Sequence, residues 1–234
     1  MVVEQEVLEQ ARRMSRPAVE AVIRSVYPAV HRMAHGLAGR EDVARGIIRF
    51  VASHAPRQMP RWKDPEAPDR WFYHHTVLTA RRASRHRPEP MRDLLLGRHG
   101  GDARYVAFIR ALRELPIQQR EAFILHYGEQ LDIRRMAIAM DCSTQAAELH
   151  LRTGDAALRA LAGKEFAAMT ARLREVYRAM APTEDAMGPA VRMIVARSLW
   201  ARRLWRLVKW LLLAGLAAGA GWGVWGGYIR IFHF

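Results

Sequence analysis

The chain has 234 residues, half of them hydrophobic, which is enough for two small helical domains and a tail. A formal net charge of +14 and a pI near 11.1 point to a polyanionic partner, either nucleic acid or an anionic membrane surface. The lone cysteine, Cys142, excludes an intrachain disulfide, and no GxSxG, HExxH, P-loop or paired CxxC motif is present, so no catalytic residue, metal site or cofactor is expected.

Residues 1–18 read as a leader. Val2 to Met14 is charged and amphipathic through Val3, Val7, Leu8 and Ala11, unlike a basic-then-apolar signal peptide. Pro17 starts the first long helix, within a helical domain expected over 19–87. Ala55 to Pro68 holds four prolines and reads as a loop anchored by Trp62. Beyond it, Arg70, His74, Arg81, Arg82, Arg85 and Arg87 accompany Trp71, Phe72 and Tyr73. Cations that track phosphates and aromatics that stack on unpaired bases give one reading of this cluster. A solvated basic face above a core of Trp71 and Phe72 gives the other. Adjacent His74 and His75 point about 100° apart on a helix, so they are not expected to share a metal ion with each other.

Residues 88–104 read as a linker, broken by Gly97, Gly100 and Gly101. A second domain is expected over 105–162. Its informative stretch, Ala111 to Leu161, opens with Pro116 at a helix start and Ala122, Phe123, Ile124 and Leu125 in an apolar run that breaks at Gly128. Asp132 can cap a short helix with Met136, Ala137 and Met140 on one face. Asp141-Cys142-Ser143 is a tight turn, and Ser143 can cap a last helix carrying Ala147, Leu151 and Leu158. Helix, turn, helix is the layout whose second helix enters the DNA major groove.

Residues 163–209 read as a helical extension, with Phe166, Met169, Leu173 and Tyr177 on one stripe and Thr183 capping a further helix. Trp210 to Ile229 contains no charge, and twenty helical residues span about 30 Å, a bilayer's hydrocarbon core. Arg202, Arg203, Arg206 and Lys209 precede it, so a transmembrane helix over 210–229 with the N-terminus inside is expected, a buried core helix being the alternative. Gly215, Gly219, Gly223 and Gly227 would let a second copy approach closely, and membrane lipid would be a partner.

The run LPxxQREAFxLxYxExL from Leu115 to Leu131, with Ala137 and Ser143 beyond it, resembles the C-terminal DNA-binding domain of extracytoplasmic-function (ECF) sigma factors. Upstream, Tyr27 to Ala34, Gly39 to Ala44 and Arg70 to Tyr73 are similar to that family's polymerase-binding and promoter-melting domain. The resemblance implies an all-α fold of two domains, and a transcription initiation factor that recruits RNA polymerase core to promoter DNA, with room for an anti-sigma factor. It implies that Ser143, Thr144, Gln145, Glu148 and Arg152 meet the upstream element. Arg70, Trp71, Tyr73, His74, Arg81, Arg82 and Arg85 would meet the melted strand, and Glu41, Asp42, Arg45 and Arg49 would dock polymerase. Two departures stand out. Arg45-Gly46-Ile47-Ile48-Arg49 replaces the family's Asp-Leu-Val-Gln-Glu, and Glu148 and His150 replace a lysine and an arginine on the recognition helix. A sigma-like adaptor, or a DNA-binding regulator without polymerase docking, are the alternatives these departures raise.

Overall fold

Pro17 sits in the first turn of a 23-residue helix, Arg16–Ala38, where its missing N–H costs no hydrogen bond. Gly39 ends that helix in the left-handed region, φ 67°, with its N–H on the His35 carbonyl. The structure, a computed structural model, describes residues 3–83 and 92–231; side chains at 201–203, 206 and 215–231 are outside that description. All regular structure among the described residues is helical.

The first group comprises α1 (Gln5–Arg12), α2 (Arg16–Ala38), α3 (Glu41–Gln58) and α4 (Ala67–Ala83). Its core interleaves Val22, Val26 and Met33 of α2 with Ile47 and Val51 of α3 and Phe72 and Val77 of α4. α1 lays Leu8 and Ala11 on α2. The proline-rich stretch is shorter as a loop than its composition suggests. α3 runs through Pro56, a 3₁₀ turn follows at Met59–Arg61, and Trp62 is buried.

The second group is α5 (Ala103–Glu114), α6 (Ile117–Phe123), a π-helical turn (Ile124–Gly128), α7 (Ile133–Met140) and α8 (Thr144–Ala162). Phe108, Phe123 and Tyr127 form an aromatic cluster, and Phe166 of α9 (Phe166–Ala179) completes it at 6.2 Å from Phe123. Among the described linker residues, Leu95 and Leu96 are buried in the 3₁₀ segment Leu94–His99. Arg113 of α5 ties this linker to α2: its guanidinium donates to both Asp93 oxygens (2.6 and 2.9 Å) and to the Gly36 and Leu37 carbonyls (2.9 and 3.1 Å).

The two groups pack along α4 and α7. α9 lies against α2, the linker and the π-turn, and Met187, Val191 and Val195 at the start of α10 (Glu184–Ile231) are buried too. At the C-terminal end of α9, His31 donates from Nδ1 to the Met180 carbonyl at 2.8 Å, its ring stacked 4.0 Å from that of His35. Burial, then the neighbouring His35, pushes its pKa down to about 4. The folded chain therefore refuses a proton that the unfolded chain accepts near pH 6.5, so stability is full above pH 6.5 and is lost as pH falls towards 4. Because the ring is only partly buried, we expect a loss of about 1–2 kcal/mol. Urea unfolding of wild type and His31→Asn across that range reads it: the wild type should show the steeper fall.

From Ala196 on, the described residues belong to a second compact unit and are helical as far as Ile231. Trp200, Leu204, Trp205, Leu207, Val208 and Trp210 to Leu213 are exposed there. Among the described residues, no helix is long and apolar enough to cross a membrane. This overturns the transmembrane helix expected over 210–229, the single-pass membrane-tethered localisation, and the lipid partner read from them. Absence of charge is not hydrophobicity. Glycine adds little transfer free energy, and Gly215, Gly219, Gly221, Gly223, Gly226 and Gly227 all fall within the run. The side-chain packing at Gly215, Gly219, Gly223 and Gly227, and with it the expected self-association, lies outside the described residues.

Candidate nucleic-acid interface

Asp132 caps α7 by accepting the Arg135 N–H at 2.8 Å, and Asp141 leaves the helix in the left-handed region, φ 59°. The Cys142 N–H returns to the Ala137 carbonyl, and the Ser143 hydroxyl accepts the Ala146 N–H at 3.1 Å, starting α8. Ser143 thus does local structural work. α8 buries Ala147, Leu151, Gly154 and Leu158 against α6 and α7. A Cβ on Gly154 would meet the Gln119 carbonyl at 3.4 Å, an ordinary contact, and Asp155 beside it accepts the Tyr127 hydroxyl at 2.9 Å. Burial, then that bond, pushes the tyrosine up to about 12.

Opposite this buried face, Thr144, Gln145, Leu149, Arg152 and Thr153 are exposed, with Glu148 beside them. Glu148 pairs with Arg152 one turn on. The expected phosphate-binding cation therefore already has a carboxylate partner on its own helix.

Residues 105–154 match the family described as sigma-70, region 4.

The matched family is a transcription-factor DNA-binding domain and not an enzyme's catalytic domain. No curated protein matches the chain. The matched region 4 segment holds the whole of α7 and the first turns of α8.

The residues expected to meet a melted strand do not share one open surface. Arg70 is held by Asp64 (2.7 Å) and Glu66 (3.3 Å). Trp71 packs on Trp62, Phe72 and His75, and His74 meets the His75 ring edge-on. Tyr73 is half-buried, and burial raises its pKa. Arg81 reaches into the region 4 segment, donating to both Glu121 oxygens (2.7–3.2 Å) and to the Met140 carbonyl at 3.0 Å. Burial pushes the Glu121 carboxyl up, against the pull of Arg81. Arg82 is exposed, and Arg85 lies outside the described residues.

On α3, Glu41, Asp42, Arg45 and Arg49 are exposed along one face. Glu41 meets His35 at 2.9 Å and Arg45 at 3.7 Å, and Asp42 pairs with Arg40 at 2.7 Å. Ile47, Ile48 and Val51 belong to the core, whereas Phe50, 43% exposed, stacks on His54. Of the Ile48-Arg49 departure, only Arg49 alters the surface. Sequence reasoning missed Glu121, Glu129 and Tyr177. The one available signal was a carboxylate, Glu121, inside an otherwise buried apolar run.

Proposed function

We propose that this protein is a diverged ECF-type sigma factor that brings RNA polymerase core to promoter DNA. In this reading α8 of the region 4 segment enters the major groove of the upstream element, α4 meets the melted strand, and α3 docks polymerase through Glu41, Asp42, Arg45 and Arg49. The observation that carries it is the capped α7–turn–α8 unit with Thr144, Gln145 and Arg152 exposed on one side, within a segment matched to sigma-70 region 4.

The test has two arms. Selection of duplexes from a random library should enrich a motif, and Gln145→Ala should alter it at one position, a bidentate pair being worth about 1–3 kcal/mol of discrimination. Arg152→Ala removes a cation and also frees Glu148 to repel phosphate. It should weaken binding to all sequences and lower the salt slope by about one. In the second arm, immobilised full chain should retain purified core polymerase, and Arg49→Glu should change that retention. An enriched motif without polymerase retention would favour the DNA-binding regulator. Neither result would favour an adaptor that keeps the fold alone, a reading supported by the Glu148–Arg152 pair.

A further inference from the structure

Tyr177 of α9 is fully buried, with its ring between two glycines from different parts of the chain. A Cβ on Gly36 of α2 would lie 2.5 Å from ring carbon Cε2, and a Cβ on Gly128 of the π-turn 2.7 Å from Cδ2. Neither glycine needs a left-handed backbone, so close approach is what the ring asks of both positions. Gly36 belongs to the first helical group and Gly128 to the region 4 segment. A single ring therefore fixes the spacing of the two.

The surrounding contacts point the same way. Arg32 of α2 donates to both oxygens of Glu129, next to Gly128, at 2.6 and 3.0 Å. His31 holds the Met180 carbonyl, Arg178 donates to Gln130 at 2.9 Å, and Val176 closes on Gly97 of the linker. α9 lies beyond residue 154, where the matched segment ends. It acts as a strap across both groups.

What the strap holds shut is polar. The seam between α4 and α7 contains a cavity of about 270 Å³ lined by Asp69, Arg70, Tyr73, Asp132 and Arg135, among others. Arg81 crosses the same seam to Glu121 and Met140. Surfaces joined by ion pairs around a cavity separate more readily than a close-packed apolar core. The reading side of α8 stays exposed throughout.

We propose that α9 is an intramolecular clamp, keyed by Tyr177 between Gly36 and Gly128, that leaves α8 free to read duplex DNA while withholding Tyr73 and Arg81 of α4 from an unpaired strand. It rests on the reading of α4 as a strand-binding helix. Release of Tyr177 opens the seam, and affinity for a single strand rises by the inverse of the open fraction.

The test uses the full chain with Cys142→Ser and spin labels on cysteines at the exposed positions 57 and 160. The parent should give one narrow distance. Gly36→Ala keeps a good helix former in α2 but fills the slot, and Tyr177→Ala removes the key; each should add a longer-distance population. Each should also bind a fluorescent single-stranded DNA of about twelve mixed-sequence nucleotides at least about tenfold more tightly. Tyr177→Phe keeps the ring and should behave as the parent. A narrow distance retained by both slot variants, with helical circular dichroism intact, overturns the clamp. A second population with no gain in strand binding overturns the reading of α4, and with it the withheld ligand, while leaving the region 4 segment's duplex reading untouched. If Tyr177→Ala fails to fold, Gly36→Ala carries both measurements.

Discussion

Arg113→Ala should destabilise the protein by about 3–5 kcal/mol, the cost of removing one partner from a buried ion pair. The side chain is nearly inaccessible, and its guanidinium satisfies four acceptors: the two Asp93 oxygens and the carbonyls of Gly36 and Leu37. Alanine leaves a buried carboxylate with no cation and two buried carbonyls with no donor. Asp93 also accepts the Leu95 N–H, so it cannot turn away to water without uncapping the linker's 3₁₀ segment. The double variant Arg113→Met with Asp93→Leu removes both charges and should lose less than Arg113→Ala alone, because apolar groups replace a pair whose desolvation was costly. Equilibrium unfolding in urea measures both. A double variant less stable than the single would show that the carbonyl contacts, and not the stranded charge, dominate.

Phe123→Ala should cost a similar amount, about 3–5 kcal/mol for a fully buried phenylalanine. Its ring touches those of Phe108, Tyr127 and Phe166, so the cavity would open where α5, α6 and α9 meet, among groups that are anchored elsewhere and cannot collapse into it. Phe166 is buried in the same cluster and receives the Arg159 guanidinium over its face at 4.0 Å. Phe166→Ala should therefore destabilise the region 4 segment as well, although it lies outside residues 105–154. Thermal unfolding of both variants, followed by tyrosine fluorescence near Tyr127, gives the comparison.

The helix-turn-helix was legible because its signals are local. Asp132 and Ser143 stand where capping side chains must stand, and Met136, Met140, Ala147 and Leu151 keep helical spacing. The fate of the cations was not legible, because periodicity says which face of a helix is polar and not what covers it. Arg81 reads as a free phosphate contact until Glu121, forty positions later in the chain, is brought against it. Arg32 and Glu129 are 97 positions apart, and only the folded chain joins them. Ile48 stands at a family's polar position, yet its own apolar side chain places it in the core. The C-terminal run misled for a different reason: counting charges is a weaker guide to membrane insertion than summing transfer free energies.

The π-turn at Ile124–Gly128 sets the phase of everything after it. The Glu129 N–H reaches back five residues to Ile124, which gives this turn one residue more than an α-helical turn would hold. Each residue advances a helix by about 100°. Loss of a single position here would swing Gly128 off the Tyr177 ring and Glu129 off Arg32 together, and would turn α7 and α8 against α6 as well. The length of this chain between Pro116 and Leu131 is thus fixed to the single residue by the angle at which its two halves must face each other.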